Sequence, residues 1–115
     1  MTIEEWRQQM DEWWSETDSR ARAAKDSQSA TFSLIARLRT LSEAERKMSD
    51  IVVADWALST DECKRFDALA AIDELGIRSA APQLHVLESR ILERKDPGAP
   101  FELEKVRRIL AHLEQ

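Results

Sequence analysis

The 115 residues include a single cysteine, two glycines, three prolines and no tyrosine. Each scarcity excludes something. Cys63, being alone, can form no intramolecular disulfide, so the fold must hold without a covalent staple. Gly76 and Gly98 cannot make a glycine-rich phosphate loop. So few chain breakers leave room for long helices joined by short turns. There is no basic excess either. Seventeen Lys and Arg stand against 22 Asp and Glu, a net charge of −5. That balance argues against broad phosphate-backbone binding, which needs clustered cations. The longest mostly apolar stretch, residues 51–58, holds Asp55 and is far too short to span a bilayer. The opening Met1-Thr2-Ile3-Glu4-Glu5 carries acid where a secretory leader carries base. What is abundant is the mixture of a globular chain, 34% charged and 43% apolar. A chain of this length buries roughly two thirds of its unfolded surface. The expectation is one soluble, cytoplasmic domain covering residues 1–115.

A spaced apolar pattern recurs along the chain. Leu34, Ile35 and Leu38 are followed 37 residues later by Ala71, Ile72 and Leu75, and 38 further on by Ile109, Leu110 and Leu113. A second, looser register carries Met10 and Trp13 to Met48 and Ile51, then to Leu84 and Leu87. A period in this range marks an architecture of stacked helical units.

Apolar spacing and capping signals divide the chain into six helices. The first covers about Thr2 to Ser19, reaching at most Lys25, with Ile3, Trp6, Met10, Trp13 and Thr17 on its inward stripe. The second runs from about Ser29 to Thr40, with Leu34, Ile35 and Leu38 inward. Ser42 with Glu45 is a capping box opening the third, about Glu43 to Leu58. Its stripe is Ala44, Met48, Ile51, Val52 and Trp56. Ser59 with Glu62 repeats the box before the fourth, about Thr60 to Leu75. The apolar run Ala68 to Ile72 covers most of that helix's circumference, which places it at the centre. Gly76 caps its C-terminus. The fifth helix, about Ala80 to Lys95, tolerates Pro82 in its first turn and turns Leu84, Leu87, Ile91 and Leu92 inward. After Asp96-Pro97-Gly98-Ala99-Pro100 comes the sixth, about Phe101 to Glu114.

Arg65, Ala68, Ala71, Ile72 and Leu75 resemble the second helix of a HEAT repeat, with its Arg-x-x-Ala-x-x-Ala-Leu-x-x-Leu spacing. The segment from Gly76 to Leu84, with Ala81-Pro82-x-Leu84, resembles the lead into the next repeat. The match is good over residues 65–92 and loose elsewhere. The resemblance to this armadillo-type family implies three antiparallel helix pairs stacked in a right-handed array, with the second helices lining a concave face. It also implies a protein that binds other proteins. In the family, an aspartate between paired helices and an arginine opening the second helix often form a buried ladder. This chain departs from that pattern. Ser59 stands near the aspartate position, Leu103 replaces the arginine in the third pair and Gln28 does so in the first. A compact six-helix bundle is the alternative arrangement.

The chemistry-bearing residues point away from catalysis. His85 and His112 fall on different helices, and no Cys-x-x-Cys or His-x-x-x-His pair supplies a metal ligand set. No nucleotide or other cofactor motif is present. Cys63 aligns with Phe66 and Ala70 on an apolar face, as a packed core thiol would. Paired acids such as Glu4/Glu5 and Glu43/Glu45 suit helix N-termini. Asp55 and Asp73 fall near apolar stripes and require partners there.

Two features suit binding. Lys64, Asp67 and Glu74 form a polar strip on the fourth helix, which the period maps to Glu102, Lys105 and His112 on the sixth and to Arg37 on the second. Such a mixed-charge strip suits a protein or peptide partner. Trp14 stands one step off the stripe of the first helix, either widening the buried face or exposed as a binding hot spot. Exposed, it would allow a homodimer through this tryptophan-rich helix. The short basic clusters Arg20/Arg22/Lys25 and Lys105/Arg107/Arg108 are interleaved with acids, which argues against nucleic acid. The sequence therefore reads as an all-α, non-catalytic protein-interaction module without cofactor. A small acidic inhibitor of the immunity-protein kind, occluding a toxin or enzyme active site, is the alternative.

Overall fold

Six α-helices carry the chain, and no strand occurs among the described residues. The structure is a computed structural model describing residues 1–115, the side chain of Ser27 apart. The fold class is all-α, as the spacing predicts. None of the helices is long and apolar enough to cross a membrane. The chain divides into two compact units, Met1–Val52 and Val53–Gln115.

In the first unit, α1 (Ile3–Ala23) opens on Thr2, whose hydroxyl accepts the Glu5 amide at 3.2 Å. Glu4 and Glu5 in the first turn and Arg20 and Arg22 in the last complement the helix dipole. The helix closes through Lys25, held at φ 56, while the Asp26 amide reaches back to the Ala21 carbonyl. α2 (Ser27–Thr40) packs on α1 and begins two residues before the predicted start. Ala30, Leu34 and Leu38 of α2 are buried, as are Trp6, Met10, Trp14 and Ala21 of α1. The inward stripe of α1 is therefore turned from Trp13 toward Trp14. α3 (Glu43–Trp56) opens on the predicted capping box. The Glu45 amide donates to the Ser42 hydroxyl at 3.2 Å and the Ser42 amide to the Glu45 carboxylate at 3.1 Å. Hydrogen bonding from Ser42, first from its amide, holds the Glu45 carboxyl below its usual range.

The buried positions of α3 are Ser49, Val52, Val53, Ala54 and Trp56; Val52 and Trp56 belong to the expected stripe, but Ser49 joins them and Ile51 is 51% exposed. The reason is a buried hydrogen bond. The Trp6 indole N–H donates to the Ser49 hydroxyl at 2.8 Å, and Ser49 is fully buried. A buried indole needs an acceptor, so a serine takes a core position that hydrophobicity alone would refuse it.

In the second unit, α4 (Glu62–Leu75) starts later than predicted. Its cap is Asp61, which accepts the Lys64 amide at 3.1 Å, while Ser59 accepts the Asp61 amide instead of pairing with Glu62. Ala68, Leu69, Ala71 and Ile72 are completely buried, as expected of a central helix. Gly76 ends α4 in the left-handed region, φ 61 and ψ 48. A 3-10 turn (Arg78–Ala80) leads into α5 (Ala81–Leu92), which stops three residues before the predicted Lys95. α6 (Ala99–Leu113) starts two residues before the predicted Phe101, because Pro100 fits a first helical turn. α5 packs on α6, and α6 on α4.

Three side-chain contacts set the direction of that last pair. Arg65 meets Glu102, Phe66 meets Lys105 and Asp73 meets His112. Both series ascend, so α4 and α6 run parallel. The first contact joins residues 37 apart, close to one sequence period, and so do the other two. Two apolar expectations fail here. Leu92 is 58% exposed, and Cys63 is exposed with Phe66 rather than packed in the core.

Candidate functional site

The parallel pairing of α4 and α6 sets two aromatic rings beside one groove. On α4, Phe66 follows Glu62 by one turn; on α6, Lys105 follows Phe101 by one turn. All four line a groove of about 320 Å³ whose remaining walls include Arg94, Asp96 and Glu102. Phe101 is 77% exposed and Phe66 37%. Lone apolar residues on a surface are ordinary. Here two of the chain's three phenylalanines flank one concavity.

The base of the groove is ionic. Arg65 grips Glu102 with two parallel hydrogen bonds, at 2.9 and 3.0 Å, and its third nitrogen donates to the Ser59 carbonyl at 3.1 Å. Arg94 reaches the same Glu102 at 3.1 Å and holds Asp96 with a second bidentate pair at 2.7 and 2.9 Å. The Glu102 side chain is only 4% exposed, so its charge is tolerable only because two guanidiniums surround it. The hydrogen bonds from Arg94 draw the Asp96 carboxyl down to about 2, and donating to Asp96 and Glu102 raises the Arg94 guanidinium further above its usual range. Neither group can change protonation near neutrality, which suits a fixed scaffold and not proton transfer. The guanidinium carbon of Arg65 and the ammonium of Lys105 each lie 5.4 Å from the centre of the Phe66 ring.

The predicted binding residues do not form one strip. Lys64 lies over the Trp56 ring at 4.8 Å, whereas Lys105 lies over Phe66. Asp67, expected on a solvated face, is 6% exposed. It belongs to the inner side of α4, where the run of small apolar neighbours draws it in. Glu74 and His112 are exposed, and His112 lies 3.5 Å from Asp73. Arg37 covers the Trp13 ring at 4.8 Å within the first unit. Trp14 is 4% exposed, so of its two readings the buried one holds.

Of the predicted strip, Glu102 and Lys105 line the groove. Glu62, Phe66, Arg94, Asp96 and Phe101 escape sequence reasoning. The Arg65–Glu102 pair carried a signal. An arginine at the ladder position and a carboxylate one period later are suited to meet when the helices stack in register. No family model matches the chain, no curated protein aligns with it and no solved structure matches it significantly.

Proposed function

We propose that this chain is a non-catalytic protein-interaction module of HEAT-like character, which holds a peptide segment of a partner protein in the groove between α4 and α6. The observation that carries the reading is Phe101, 77% exposed beside Phe66 over a base locked by paired charges. An aromatic side chain at the lip of a rigid concavity is the usual core of a binding hot spot, because it gains contact without ordering a flexible loop. The repeat character is supported by Arg65 and Glu102 meeting one period apart and by the parallel course of α4 and α6. The test is quantitative capture from a lysate of the source cells, with the wild-type chain and Phe101→Ala side by side. A partner enriched by the wild type should be lost with the variant. A partner captured equally by both would move the interface elsewhere, and none under any condition would end the proposal.

A further inference from the structure

The charges of the groove narrow what it can hold. Three of its lining charges, Arg94, Asp96 and Glu102, are neutralised together with Arg65, which pairs with Glu102 from behind the groove wall. The other two charges of the groove are Glu62 and Lys105, and among the described residues neither has an ion-pair partner. The Lys105 ammonium has only the face of the Phe66 ring, at 5.4 Å. Glu62 is the first residue of α4 and so stands at the N-terminal end of the groove. Lys105, level with Phe66, stands about one helical turn further along. The surface thus offers an anion and a cation about one helical turn apart on opposite walls, Glu62 level with Phe101 and Lys105 level with Phe66.

We infer that the groove takes a peptide of a partner protein bearing one large apolar side chain, with a basic residue placed for Glu62 and an acidic residue for Lys105. This rests on the peptide-binding reading above and adds the chemistry of the ligand. The volume of about 320 Å³ lies at the low end for small-molecule sites, enough for one anchor side chain and too small for a large cofactor. One unpaired charge of each sign does not suit nucleic acid, which presents only anions. A peptide carries both signs within one turn, and complementary charge selects its direction as well as its identity.

The experiment selects heptapeptides from a random phage-displayed library on the full chain. The best three are then synthesised with a fluorescein label and titrated by fluorescence anisotropy. The proteins compared are the wild type, Phe101→Ala and the exchanged pair Glu62→Lys with Lys105→Glu, each checked for helicity by circular dichroism. Selected peptides should share one large apolar residue with a base on one side and an acid on the other. Phe101→Ala should weaken them about thirtyfold, the scale of a hot-spot residue. The exchanged pair should weaken them about tenfold and regain affinity for peptides whose acid and base are swapped. Peptides that bind Phe101→Ala as tightly as wild type would overturn the groove assignment while leaving a peptide-binding module in place. Indifference to the charge exchange would overturn the ligand chemistry. Failure to enrich any peptide would overturn this inference, and partner capture would then decide the broader reading separately. A wild-type chain that sediments as a dimer and becomes a monomer on Phe101→Ala would replace the peptide by a second copy.

Discussion

The two units of the chain each bury a polar device, and the devices differ in kind. In residues 1–52 it is one neutral hydrogen bond, from the Trp6 indole to the fully buried Ser49. In residues 53–115 it is a charged chain, Arg65–Glu102–Arg94–Asp96, which runs from a buried carboxylate to a half-exposed aspartate. A neutral pair can sit deep because only one donor and one acceptor must be satisfied. A buried carboxylate needs several donors, and here its arginines carry it to the rim of a groove. The inner device packs a core, and the outer one makes a rigid surface. The aromatic residues divide by type and not by unit. Trp6, Trp14 and Trp56 are buried, whereas Phe32, Phe66 and Phe101 are exposed.

Breaking the two devices should give unequal losses. Glu102→Ala leaves Arg65 and Arg94 facing each other without their shared anion. It should cost about 3 kcal/mol of stability, the lower part of the range for breaking a buried pair, since both arginines keep another acceptor. Urea unfolding followed by circular dichroism measures it. Glu102→Gln should cost less, because hydrogen-bond acceptance survives. Ser49→Ala strands the Trp6 indole N–H and should cost about 2 kcal/mol. Tryptophan fluorescence should report that loss, as it removes a bond to one of four indoles.

Acid should separate the devices further. Hydrogen bonding from Arg94 holds Asp96 at about 2 against an ordinary value of 3.8. Its contribution is complete above about pH 4 and is lost as the pH falls toward 2, because the unfolded chain binds the proton first. Asp96→Asn should flatten the fall in stability across that window, measured by melting at stepped pH. The Trp6–Ser49 bond has no titrating member and should not respond there.

The smallest effects concern two helix ends of the same backbone shape. Gly76 closes α4 at φ 61, and Lys25 follows α1 at φ 56. A Cβ at Gly76 would meet nothing within 4 Å, so Gly76→Ala should cost only the left-handed penalty, about 1 kcal/mol. Lys25→Gly should gain about 0.5 kcal/mol by removing that penalty, less the added freedom of the unfolded chain. A fall in melting temperature for Gly76→Ala with a rise about half as large for Lys25→Gly would show that backbone shape, not packing, governs both ends.

The helices were legible because their signals are local. The Ser42–Glu45 box, Gly76 after Leu75 and Pro82 in a first turn each act within a few residues, and the structure uses all three. The fourth helix shows the limit of such signals. Ser59 and Asp61 both offer a capping oxygen, and geometry chose Asp61. Faces were less legible. Trp13 and Trp14 differ by one step around α1, and periodicity could not choose between them. The choice followed from what α2 and Ser49 present to that helix. The groove was the least legible. Lys105 belongs to it, but Phe66 and Cys63 were expected inside and lie outside. Charged and apolar residues mix around the whole circumference of their helix, so its pattern carries no direction.

By itself the sequence determined that this protein is helical and where its helices begin and end to within a few residues. Those properties depend on backbone capping, on scarce chain breakers and on apolar spacing, all of which act along the chain. Tertiary structure alone decided that a serine would be core, that Trp14 would be buried, and that Phe66 and Phe101 would flank a groove based on Arg65, Glu102 and Arg94. Those outcomes depend on pairs of helices satisfying one another's polar groups. A buried donor or charge accepts only a partner that the fold brings to it from a distant part of the chain.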